Sequence, residues 1–196
     1  MPVTSQGGPP VPTPYRQALA ELEHVFARLD DAAVDAAVAA IAGAGRVALY
    51  GVGREGLQMR GFAMRLFHLG LEASVVGDMA TPPIGAGDLL VVSAGPGSFS
   101  TVLALIGTAR AAGAAVLVVT AQGGGEAAQR ADRVLVVPAQ TMADDRAGDQ
   151  GGASILPMGS LYEGALFVLF EIMIVKLRAR LGVSPEAMRA NHTNLE

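Results

Sequence analysis

Residues 46–70 read RVALYGVGREGLQMRGFAMRLFHLG, and the fold turns on this stretch. Val47 to Tyr50 form a short apolar run suited to a buried strand. Gly51, Gly53 and Gly56 then give a tight turn with few side chains. From Glu55 to Leu69, apolar residues recur at helical spacing: Leu57, Phe62, Met64, Leu66, Phe67 and Leu69. Strand, glycine turn and helix in this order leave backbone N–H groups free at a helix N-terminus, where an anion, most often a phosphate, is stabilised.

The pattern repeats downstream. Ala73 to Val76, Asp88 to Ser93, Ala115 to Thr120 and Arg133 to Val137 read as four further strands. They are β-branched apolar runs without alternation, as strands covered on both faces should be. Helices are expected from Phe99 to Ala112 and, briefly, up to Ala131. The resulting βαβαβαβαβ order predicts an α/β fold, a doubly wound five-stranded parallel sheet in order 2-1-3-4-5. Upstream, Thr13-Pro14 starts one helix and Asp30 or Asp31 a second. Downstream, Pro138 to Pro157 is a long polar loop, of the kind that is usually functional or mobile. Met158 to Leu181 is a long helix, apolar on most sides, which suggests burial between subunits. A last short helix follows Ser184-Pro185. Residues 1–12, rich in Gly and Pro, are expected to be disordered, and 13–196 to form one domain.

Composition narrows the function. Of 196 residues, 51% are hydrophobic and 16% charged, enough for a full core. A net charge of -4 without a basic run argues against nucleic acid. The absence of cysteine excludes disulfides and thiolate metal sites. His24, His68 and His192 have no metal-ligand spacing, so no metal is expected. There is neither a signal-peptide pattern nor an apolar segment long enough for a bilayer, so a cytoplasmic protein with no membrane partner is expected.

In such a sheet, ligands bind beyond the carboxyl ends of the strands where strand order reverses, here between strands one and three. The turns Gly51–Gly56 and Ala94–Gly97 follow those two strands. GVGREG also fits a dinucleotide fingerprint, with Asp78 near the end of strand two. AGPG, however, has no role in that chemistry. A dinucleotide-binding domain therefore stands only as a rival reading. The expected substrate-binding set is Gly51, Gly53, Arg54, Glu55, Ser93, Gly95, Gly97 and Ser98, with Thr81 on one wall. Arg54 is suited to an anionic group, or else to a surface pair with Glu55. His68 is expected to pack in the core or an interface, Met59 and Met64 in the core on the helical period, and His24 to pack as well.

The order GxGRxG, FAMRLFHLG, VVGDMxTPPIGxGDLLVVS, LPMGSLYEGALFVLFE and MRANHTNLE resembles the 6-phospho-3-hexuloisomerases of the sugar isomerase (SIS) superfamily, from about Arg46 to Glu196. The resemblance implies a flavodoxin-like sheet and a homotetramer with active sites shared between subunits. It also implies a cofactor-free isomerisation of a sugar phosphate, 3-hexulose 6-phosphate to fructose 6-phosphate. Glu163 is then the candidate base, in an apolar setting that would raise its pKa; the plainer reading is a carboxylate favoured by the helix dipole. The NHTNLE terminus makes His192 the candidate acid, serving its own or a neighbouring subunit's site.

Two loops depart from the family pattern. Where GxGRSG is usual, Glu55 replaces the serine. Where SGSGET is usual, with hydroxyls that hold the phosphate, this chain has AGPGSF. Ala94 and Pro96 stand for serines and Phe99 for the threonine; Pro96 also lacks an N–H. Two like charges about 4 Å apart repel by roughly 4 kcal/mol at an effective dielectric near 20. Three arrangements are therefore open. Glu55 turns away or pairs with Arg54, Arg60 or Arg65; the phosphate sits elsewhere; or the substrate has no phosphate and Glu55 binds hydroxyls or does chemistry. A non-catalytic sugar-phosphate-binding module is a further alternative.

Overall fold

The computed structural model describes residues 13–144 and 154–195. The expected N-terminal tail and the middle of the loop before the long helix lie outside the described residues.

Each helix at the N-terminal end begins where its capping chemistry says it should. Thr13 accepts from the Arg16 N–H and Pro14 occupies the first position of α1 (Pro14–Ala27). Asp30 accepts from the Ala32 N–H to open α2 (Asp31–Ala42). The decisive stretch then forms β1 (Val47–Gly51) and α3 (Gly53–His68). After these come β2 (Ala73–Val75), β3 (Leu89–Ser93), α4 (Ser100–Ala111), β4 (Ala115–Thr120), α5 (Glu126–Gln129) and β5 (Arg133–Val136). The long helix α6 (Ser160–Leu181) and the short α7 (Pro185–Ala190) complete the chain.

All pairings are parallel and the strand order is β2-β1-β3-β4-β5. Unbroken apolar strands follow from the two cores they serve. Leu49, Val91, Leu117 and Val119 pack with Met59, Phe62 and Leu66 of α3 and with α6 on one face. Ala48, Leu90, Val92 and Val118 pack with Val102 and Ile106 of α4 on the other. Register then positions the site. Gly51 pairs with Ser93 at the ends of β1 and β3, so the two glycine turns leave the sheet side by side.

Three expectations need correction. The βαβαβαβαβ order counts one helix too many: Gly77 to Gly87, which reads as a loop around Thr81-Pro82-Pro83, does cross from β2 to β3 as a loop, pinned by the Asp88 carboxylate on the N–H groups of Arg46 and Gly85. Met64 is not core but 50% exposed, alongside Leu57 and Phe67. Met59, Phe62 and Leu66 recur at i, i+3 and i+7 and take the inward face, which turns Leu57 and Met64 outward. Third, α6 begins at Ser160 rather than Met158, because Met158 and Gly159 both have positive φ (54° and 80°) and cannot continue a helix.

Candidate active site

The carboxyl ends of β1 and β3, the first turn of α3 and the start of α6 enclose a cavity of about 370 Å³. Its wall includes Gly53, Arg54, Glu55, Pro96, Phe99, Met158, Tyr162 and Glu163.

Glu163 stands in the first turn of α6, its N–H bonded to the Gly159 carbonyl. Its carboxylate lies 3.0 Å from Arg54 Nε and its side chain is 15% exposed. Burial raises its pKa, the Arg54 guanidinium pulls the other way, and Glu55 adds to the rise. Arg54 also donates to Ser160 Oγ at 3.0 Å and to the Met158 carbonyl. One guanidinium thus ties the start of α3 to the start of α6. The positive φ of Met158 is held by that strap, the kind of local strain that persists where surrounding contacts fix it. The alternative pairing of Arg54 with Glu55 is not formed.

Glu55 turns inward. Its carboxylate accepts from Ser93 Oγ at 2.6 Å and from the Gly95 N–H at 3.0 and 3.2 Å. Arg60 and Arg65, the other expected partners, pair with Asp78 and Glu171 instead. Burial raises the Glu55 pKa against these hydrogen bonds. Tyr162 Oη lies 3.2 Å from Ser93 Oγ. Ser93 has a single proton and gives it to Glu55, so Tyr162 donates to Ser93. Burial, and the nearby Glu55, push the Tyr162 hydroxyl well above its usual range.

The glycines have separate jobs. A Cβ on Gly56 would lie 2.5 Å from the Gly51 carbonyl oxygen, so this pair allows strand end and helix start to touch. Gly53 (φ 59°) lines the cavity. Gly95 lies against Glu55 and Tyr162, where a Cβ would come within 2.9 Å of both. Gly97 packs on Gly125 and Gln122 at the edge of the turn.

Other expected residues lie elsewhere. Ser98 is exposed and outside the cavity wall. The Thr81 hydroxyl closes its own loop, 2.6 Å from the Val75 carbonyl and 2.8 Å from that of Asp78. His192 is exposed beyond α7, with its ring 5.0 Å from that of His68. His68 is the last residue of α3, and Arg54 is in its first turn. At about 1.5 Å per residue, those ends are roughly 20 Å apart. One chain therefore does not bring Glu163 and His192 together. Tyr162 and Ser160 were missed from the sequence, although both sit beside Glu163 in LPMGSLYE; a tyrosine in an apolar run looks like core until its hydroxyl partner is seen.

Among the described residues, no group of three His, Cys, Asp or Glu side chains is placed to hold a metal ion. No described helix is long and apolar enough to cross a membrane.

No protein-family model matches the chain. Curated relatives do. The 3-hexulose-6-phosphate isomerase of Methylomonas aminofaciens is 39% identical over 153 residues, covering 78% of this chain and 82% of the relative. That of Mycobacterium gastri is 38% identical over 178 residues, covering 90% and 86%. Among solved structures, a Methanococcus jannaschii protein whose crystal structure infers a 3-hexulose-6-phosphate isomerase function superposes with a TM-score of 0.77. It is 25% identical, over 93% of this chain and 97% of the other.

Proposed function

The chain belongs to the 3-hexulose-6-phosphate isomerase family, and we propose that it moves the carbonyl of a six-carbon ketose between C2 and C3. This is the reaction that turns 3-hexulose 6-phosphate into fructose 6-phosphate. The observation that carries the reading is Glu163: a largely buried carboxylate, 3.0 Å from Arg54, facing a cavity at the reversal point of the sheet.

Glu163 serves as the base. Written from the fructose side, it takes the proton from C3 while the C2 oxygen gains one, giving a 2,3-enediol. Return of a proton to C2 and loss of the proton on the C3 oxygen place the carbonyl at C3. No oxidant or reductant is consumed. Arg54 keeps the carboxylate ionised and aimed, and desolvation raises its basicity. His192 is the proton carrier at the oxygens and reaches this cavity from a neighbouring subunit. Its distance from Glu163 within one chain supports that arrangement. A homotetramer with shared sites accounts for it.

Fructose 6-phosphate labelled with 13C at C3 tests the reaction. We expect a new ketone carbon at C3 in the spectrum after incubation with the protein. A spectrum unchanged over many hours, with folded oligomer verified, contradicts the reading.

A further inference from the structure

Glu55 is a buried carboxylate, and the arginines of its own helix pair elsewhere: Arg54 with Glu163, Arg60 with Asp78 and Arg65 with Glu171. Out of water, a carboxylate needs hydrogen bonds in place of its hydration. Glu55 receives them from Ser93 Oγ at 2.6 Å and from the Gly95 N–H at 3.0 Å. The chain runs one residue further, since Tyr162 Oη lies 3.2 Å from Ser93 Oγ. A carboxylate only accepts, so the direction is fixed throughout, from Tyr162 to Ser93 to Glu55. The three groups also pack closely. A Cβ on Gly95 would lie 2.9 Å from both Glu55 Oε1 and the Tyr162 ring.

The far end of this chain is next to Glu163. Tyr162 precedes it in the first turn of α6. That turn has no cap of its own: Gly159 stands at the N-cap with positive φ, and no side chain bonds the first N–H groups there. Contacts from other elements therefore hold it. Arg54 does so at the cavity side, through Ser160 and Glu163. Tyr162 does so from the core side, where it is buried. A serine at position 55, usual in the family pattern, would bring neither the carboxylate's second acceptor oxygen nor its charge.

We propose that Glu55 is a positioning residue for the isomerisation: through Ser93 and Tyr162 it anchors the first turn of α6 and so fixes the Glu163 carboxylate over the cavity. The proposal rests on the isomerase reading and adds to it the residue that keeps the base in place. Glu55 acts through Tyr162 and does not itself move a proton of the substrate.

The test reads turnover of fructose 6-phosphate and amide hydrogen exchange at Glu163, whose N–H closes the first turn of α6 on the Gly159 carbonyl. Glu55→Ala and Tyr162→Phe should each lower kcat by about tenfold or more with KM changed less than about twofold, because a misplaced base slows the chemical step and leaves binding alone. The double variant should be no slower than the slower single one, since both cut the same chain. Glu55→Gln keeps an acceptor oxygen for Ser93 and should recover most of the kcat lost in Glu55→Ala. In Glu55→Ala the Glu163 amide should exchange about tenfold faster while that of Leu169, deeper in α6, is unchanged. Losses that multiply in the double variant, a change confined to KM, or an unmoved Glu163 amide overturns the proposal. If one single variant does not fold, the other and its amide exchange decide. No turnover by wild type would count against the isomerase reading, while the Glu163 amide would still decide the role of Glu55.

Discussion

Glu55 and Glu163 enter one cavity from different helices, yet their surroundings separate their tasks. Glu163 keeps an arginine partner and faces the open space. Glu55 has no arginine and is buried against the two turns, held by Ser93 and Gly95. Its raised pKa has a consequence for stability. A group that holds its proton more tightly in the folded state contributes stability that is fully present below the unfolded pKa and lost as pH rises through the folded one. Glu55→Gln keeps the shape and cannot ionise. Relative to wild type, it should therefore gain stability as pH rises from about 4 to about 8. Urea unfolding at both pH values checks this; a relative loss at the higher pH contradicts it. Much at this scale was visible in the sequence. Glu163, Arg54 and Glu55 were all singled out, and they do line one cavity. Their pairing was not legible, because Arg54 could choose between two carboxylates and only the fold decides which is in reach. Thr81 and Ser98 carry hydroxyls suited to a sugar, but the first is taken by carbonyls of its own loop and the second faces solvent.

At the scale of elements, the glycine turns do two kinds of work. Gly51 and Gly56 let α3 start in contact with the end of β1. Gly56→Ala would place a Cβ 2.5 Å from a backbone oxygen that cannot rotate away. It should cost about 3 kcal/mol, the upper end for forced overpacking. Gly107, inside α4 and exposed, has nothing within 4 Å of its would-be Cβ. Gly107→Ala should add about 0.5–1 kcal/mol through helix propensity alone. Chemical denaturation of the two variants checks the contrast; similar effects would undo it. The strands were legible because a sheet covered on both faces leaves an unbroken apolar run, and β4 was read to its end residues. The loop between β2 and β3 was legible as well, from Thr81-Pro82-Pro83; only the regular alternation written for the whole chain counted one helix too many there.

At the scale of the whole molecule, α3 and α6 lie against each other and leave apolar side chains outside. Leu57, Met64 and Phe67 on one and Phe167, Ile172 and Val175 on the other are 48–63% exposed. Adjacent exposed residues of this kind mark an association surface, and a second copy of the chain is the partner proposed here. Phe167→Glu and Met64→Glu should each shift the assembly to smaller species in sedimentation at micromolar concentration. An unchanged distribution would place the interface elsewhere. If sites are shared, dissociation should also abolish activity, since Glu163 and His192 would be parted. The most direct measurement follows the proton that the base must take. Fructose 6-phosphate and free fructose are each incubated with the intact assembly in heavy water, and proton NMR follows the hydrogen on C3. Wild type should exchange that hydrogen on at least one sugar, and Glu163→Gln, at the same assembly state, should be slower by about 10²–10⁴-fold. No exchange by wild type, or equal exchange by Glu163→Gln, would contradict an isomerase built on Glu163.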